Sequence, residues 1–146
     1  MFLCVQQGDG QMFLAMADLG AKLDVRNENG ESLLHCIGKR KNDANDFAHY
    51  IDKIIQSGVA VDCLDKNGDS PIIICLGHNK NLLDNFLRAG ASIDQVNSEG
   101  ENLLEIALYH KCEIQACLSL IHEGLKVDQS MNTECILQHG GLSCII

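Results

Sequence analysis

A glycine followed four residues later by an aspartate recurs four times along the chain, at Gly20/Asp24, Gly58/Asp62, Gly90/Asp94 and Gly124/Asp128. The steps between copies are 38, 32 and 34 residues. In the first three copies a second glycine stands ten residues after the first, at Gly30, Gly68 and Gly100. A repeat distance of this size, about 33 residues, belongs to one supersecondary unit stacked on copies of itself. Each unit buries its apolar face only against its neighbours, so the repeat fixes the architecture before composition is considered. It also makes binding the default function.

Within each copy the same order of residue types returns: a Gly/Asn/Asp-rich turn, a short apolar helix, a polar break, a second apolar helix and a glycine. In the third copy Asn102 is placed to cap the first helix, and Leu103, Leu104, Ala107 and Leu108 follow at helical spacing. Ile114, Cys117, Leu118 and Ile121 form the second helix, which ends at Gly124. A glycine there supplies the left-handed backbone that closes a helix, so the repeated glycines are punctuation. The repeated aspartates lie a full unit apart, too far to act as an acid/base pair, and are read as ties between successive loops.

The motifs resemble those of ankyrin-repeat proteins. NGESLLH and NGDSPII are similar to the Gly-x-Thr-Pro-Leu-His turn of that family, and LGAKLDV, SGVAVDC, AGASIDQ and EGLKVDQ to its Gly-Ala-Asp-Val-Asn segment. The resemblance implies an all-α ankyrin-repeat solenoid of helix-turn-helix units joined by β-hairpin loops. The array covers 1–130, in units of about 1–27, 28–65, 66–97 and 98–130, with 131–146 as a degenerate C-terminal cap or truncated repeat. Leu33 and Leu103 stand where the family has proline, leaving Pro71, and Ile73 and Glu105 stand where it has histidine. In the family that histidine holds the turn backbone, so His35 is read as structural and the other hairpins as less rigid. Counting back from Gly20 gives Gly8 as an inter-helix glycine, which places Met1 in the first turn of a helix whose opening hairpin is absent. The long second step puts extra residues, drawn from KRKNDANDF, between the helices of the second unit.

Composition removes several functional classes. Twenty acidic residues against 11 basic ones give a net charge of −9, which repels phosphate backbones, so direct nucleic-acid binding is not expected. The basic cluster Lys39, Arg40, Lys41 is read as a solvated loop. No apolar run reaches the roughly 18 residues needed to span a bilayer, so membrane insertion is not expected. Eight cysteines without a secretory leader are read as reduced thiols in a cytoplasmic or nuclear protein, or in an effector delivered into a host cell. The ligand groupings Cys112/Cys117/His122 and Cys135/His139/Cys144 lack the paired C-x2-C spacing of structural zinc, and no metal or other cofactor is expected. No nucleophile-elbow, phosphate-loop or dinucleotide motif is present, so the chain is read as non-catalytic, without a small-molecule ligand.

What remains is the surface. In the family a protein partner lies on the concave face made by hairpin tips and first helices. Carried over by register, that face gives Arg26, Glu28, Leu64, Lys66, Ile74, Val96, Ile106 and Tyr109 as partner-binding residues, with His78 and His110 beside them. Leu64, Val96, Ile74, Ile106 and Tyr109 are apolar at positions expected to be exposed, and such a strip flanked by charge is an interaction signature. The acidic balance favours a partner with a basic patch. Two alternatives stand beside this: a targeting or regulatory segment of a larger enzyme or effector, and a short array similar to the inhibitors of NF-kappaB.

Overall fold

The structure, a computed structural model, describes residues 1–41, 47–110 and 114–124. These residues are helical, with no strand among them. The helices are α1 (Phe2–Gln7), α2 (Gly10–Asp18), α3 (Leu33–Gly38), α4 (Phe47–Gln56), α5 (Pro71–His78), α6 (Leu83–Arg88), α7 (Leu103–Tyr109) and α8 (Ile114–His122), with a 3-10 turn at Lys80–Leu82 before α6. Consecutive helices pair as α1/α2, α3/α4, α5/α6 and α7/α8. The pairs align in two layers: α1, α3, α5 and α7 pack in succession, and α2, α4 and α6 do the same behind them.

The helices are too short to persist alone, since helices below about 12 residues are marginal in water without tertiary packing. Burial holds them. Leu33, Leu34 and Ile37 of α3, Ile72 and Leu76 of α5, and Leu103 and Ala107 of α7 are buried at the centre of the first layer, with Ile51, Ile54 and Phe86 behind. Each such side chain contributes roughly 1.5–3 kcal/mol on leaving water. Gly38 lets α3 approach α5 closely: a Cβ there would stand 3.0 Å from the Pro71 carbonyl oxygen. In α8 it is Leu120 and Cys117 that reach the core, while Leu118 faces outward.

Second helices end as the spacing predicts. At the end of α6, Gly90 (φ 88°) donates to the Leu87 carbonyl and Ala91 to that of Phe86, the reversal that satisfies orphaned carbonyls in a left-handed cap. The same backbone sign recurs at Gly20, Gly58 and Gly124. Gly8 closes α1 in this way, in the inter-helix role read from the sequence.

The loops differ from the expected β-hairpins. Among the described residues an isolated bridge, Val96 to Asn102, is all that remains of a ladder. Each loop is instead folded around an Asn or Asp side chain. Asn27 Oδ1 accepts from the Asn29 and Glu31 amides, Asp65 Oδ1 from Asn67 and Asp69, and Asn97 Oδ1 from Glu99 and Glu101. Two backbone bonds close each loop: Asn27, Asp65 and Asn97 donate to the carbonyls of Glu31, Asp69 and Glu101, and Gly30, Gly68 and Gly100 donate back to the carbonyls of Asn27, Asp65 and Asn97. The side-chain oxygen takes amides that a ladder would have used. A helix cap at Ser32, Ser70 or Asn102 then follows at once, leaving no length for a strand.

At the third residue of α3, α5 and α7 stand His35, Ile73 and Glu105, and each acts differently. His35 Nδ1 accepts from the Ser32 amide at 3.1 Å, which fixes the proton on Nε2, and that nitrogen donates to the Asp69 carbonyl of the next loop at 3.0 Å. In α7 Glu105 does the local part of this work: its Oε2 accepts from the Asn102 amide at 2.8 Å, while Asn102 Oδ1 caps Leu104 and Glu105. That turn is therefore held without an imidazole, contrary to the looser hairpin expected there. Ile73 is buried in α5 and offers no such bond.

Further bonds join the α2–α3 loop to the α4–α5 loop: Lys66 N–H to the Asn29 carbonyl, and the Cys63 thiol to Ser32 Oγ. Asp62, one of the repeated aspartates, accepts from the Ser92 amide with both oxygens, at 3.0 and 3.2 Å. It alone of the described repeated aspartates ties two loops: the Asp24 and Asp94 carboxylates make no such bond among the described residues, and Asp128 lies outside them. The extra residues of the second unit fall between α3 and α4, and 42–46 likewise lie outside them. Next to that segment Arg40 Nη1 donates to the Val5 and Gln6 carbonyls at the end of α1, and its guanidinium lies 4.9 Å from the centre of the Phe47 ring. Of the cluster read as solvated, Arg40 is thus a clamp.

Two consequences are measurable. Burial holds the His35 imidazole below its ordinary value of 6.5, the bond to Asp69 only partly opposing it. The unfolded chain therefore binds the proton first, so stability is full above pH 6.5 and declines as pH falls from there toward the depressed folded value. Denaturant unfolding between pH 8 and pH 5 should show this decline. A His35→Gln variant should show a smaller decline and be less stable by about 1–3 kcal/mol at pH 8.

Gly10 gives the second. A Cβ there would stand 1.5 Å from Tyr50 Oη, and Tyr50 is wedged between Phe13 and Phe47 at centroid distances of 5.2 and 5.4 Å. Gly10→Ala should cost about 1–3 kcal/mol in urea unfolding, although alanine is the better helix former.

Candidate functional site

The loop tips and the first-helix layer form one continuous face. Arg26, Leu64 and Val96 occupy the same register position, just before the Asx residue of each loop. Leu64 and Val96 project there with 56% and 51% of their surface exposed. Arg26 is engaged differently: its Nη1 donates to the Gly30 carbonyl at 2.8 Å and to the Leu64 carbonyl at 3.0 Å, tying adjacent loops. Glu28 and Lys66 lie exposed two residues further along their loops.

On the helices the register positions are Cys36, Ile74 and Ile106, then Lys39, Gly77 and Tyr109. Ile106 is buried, with 4% of its surface exposed, which corrects its reading as an exposed contact; the short α7 turns it against the first layer. Ile74 is half-buried, and Tyr109 is exposed, its ring edge-on to His110 at 5.2 Å. Cys36 is buried and burial pushes its thiol up to about 11, so it stays protonated and unreactive at neutral pH.

Between α5, α7 and the α6–α7 loop a groove of about 380 Å3 opens on this face. It brings together Ile74, Ile106 and Tyr109 of the expected set with His78 and His110. The tip residues Arg26, Glu28, Leu64, Lys66 and Val96 do not line it. Among the residues the groove adds beyond those read from the sequence are Asp69, Gly77 and Glu101. The signal was in the period, because Glu31, Asp69 and Glu101 are the same position in successive units.

Those three carboxylates sit in different surroundings. Burial raises the Glu31 carboxyl, but the Lys39 ammonium and the Asn27 amide, both bonded to it, outweigh burial and hold it below its ordinary value. Burial raises Asp69 as well, the nearby Asp65 adds to the rise, and one bond from the Ser98 amide does not cancel them. Asp69 Oδ1 is buried without a hydrogen-bond partner among the described residues. Glu101 accepts from Asn97 Nδ2 at 2.8 Å. Burial, with the cations Lys39 and Lys41 and the neighbouring His110, keeps His78 below the usual imidazole range. The groove therefore holds one carboxyl, Asp69, and one imidazole, His78, each shifted toward its neutral form.

A larger cavity, about 650 Å3, lies on the opposite layer between α6 and α8, with Leu87, Leu118 and Ile121 on its walls and Asp84, Arg88 and Glu123 around them. No residue read from the sequence as functional lines it except His122. Of the ligand groupings weighed for zinc, Cys117 is buried in the core and His122 is exposed, while Cys112, Cys135, His139 and Cys144 lie outside the described residues. No group of three His, Cys, Asp or Glu side chains placed to hold a metal occurs among the described residues. The five described cysteines are free thiols, and no helix of the described residues is long and apolar enough to cross a membrane. No protein-family model matches the chain, and no curated protein matches it.

Proposed function

We propose that the chain is an ankyrin-repeat solenoid of three to four units that binds a protein partner on the face formed by its loop tips and first helices, without catalysing a reaction. The observation that carries this is the line of exposed apolar side chains on a charged surface. Leu64 and Val96 project from successive loops, and Tyr109 projects from a first helix. Leu64, Val96 and Tyr109 leave more than half of their surface in water, and covering them by a partner recovers apolar burial. The glycine period, the paired short helices and their two-layer succession support the ankyrin reading. The loss of the ladder is its main departure. The net charge of −9 favours a partner with a basic patch and disfavours nucleic acid. Free thiols fit a reducing compartment, cytoplasmic or nuclear.

Capture of a partner from cell extract tests the reading when variants are compared. Leu64→Ser/Val96→Ser/Tyr109→Ser should abolish capture while shifting the midpoint of thermal unfolding by only a few degrees. Ile106→Ser, at a buried position, should instead destabilise by about 2–5 kcal/mol. Undiminished capture by the triple variant, or turnover of any substrate by the purified chain, sinks the proposal.

A further inference from the structure

We infer that the groove between α5 and α7 is a seat for a basic side chain, lysine or arginine, carried by the protein partner and placed against Asp69. This rests on the binding face proposed above and assigns the chemistry of one position on it. The repeat contains its own precedent. In the preceding unit the carboxylate at this register, Glu31, is covered almost completely and is bonded by the ammonium of Lys39, which reaches it from the first helix. One unit on, the carboxylate is kept as Asp69 but the lysine position is Gly77. The lysine of this register is missing while the carboxylate remains, with Lys39 of the preceding unit acting on it without a hydrogen bond.

Three observations say that the vacancy is built to be occupied from outside. Gly77 lines the groove, and a Cβ there would come into ordinary van der Waals contact with the His110 ring at 3.5 Å, so the lysine stem of the preceding unit has no counterpart at this position. Asp69 Oδ1 is sheltered and unpartnered, the state in which a carboxylate gains most from a cation. Glu99 and Glu101 stand on the same groove, so the charge complementarity extends beyond one residue. The entering segment is apolar beside its cation, because Ile74 and Tyr109 form the wall over which the aliphatic stem passes.

The test uses a fluorescein-labelled peptide of alternating leucine and lysine, a leucine/glutamine counterpart, and fluorescence anisotropy at 0.15 M salt. The leucine/lysine peptide should bind saturably and at least tenfold more tightly than the counterpart. Gly77→Lys restores the internal cation and should weaken peptide binding at least tenfold; it should also lower the Asp69 carboxyl in an NMR pH titration. Asp69→Asn should weaken binding similarly, with circular dichroism checking its fold. Equal binding of the two peptides, or unchanged affinity in Gly77→Lys, overturns the inference. If partner capture depends on Leu64, Val96 and Tyr109 but is indifferent to Gly77→Lys, the basic seat falls while the binding face stands.

Discussion

Everything in this molecule depends on reversing the chain at the same point in each unit, so that a new helix pair lands squarely on the last. Four or five residues do this, folded around the oxygen of Asn27, Asp65 or Asn97. The oxygen binds amides two and four residues ahead, which fixes the direction in which the next first helix departs. Only then can Leu33, Ile72 and Leu103 arrive at equivalent places in the core. Short helices with little stability of their own are acceptable in such a design, because placement, not length, determines how much apolar surface is covered.

Much of this was legible in the sequence. Glycine spacing located the ends of the second helices, and the left-handed backbone at Gly20, Gly58, Gly90 and Gly124 follows from the absence of a Cβ. Asn102 as a cap and His35 as a structural imidazole were readable because their partners are local or one repeat away. The loops were misjudged because Asn and Asp before a glycine suit a hairpin and an Asx turn equally well. What separates the two is whether a helix cap follows immediately, and here it does.

The candidate face was legible only in part. Register gives a residue's place on a unit but not how far that unit is covered by the next. Ile106 and Ile74 hold equivalent positions, yet one is buried and the other half-buried. Arg26 is held by one acceptor in its own loop, the Gly30 carbonyl, and by the Leu64 carbonyl 38 residues away, and that second, inter-loop bond could not be read from the local sequence. Asp69 escaped notice for the opposite reason: it is unremarkable as a residue, and its significance lies in its contrast with Glu31 and the missing lysine.

The bonds between loops are unevenly distributed. The α2–α3 and α4–α5 loops are joined through Arg26, Asn29, Ser32 and His35, and α3 packs extensively on α5. The α4–α5 and α6–α7 loops are joined through Asp62 and Asp69. In a linear array, stability is a sum of unit terms and nearest-neighbour couplings, so unequal couplings set an order of assembly. The junction between α3 and α5 is the most heavily bonded among the described residues. Under mechanical pull from both ends, the chain would unzip inward and that central junction would be the last to part.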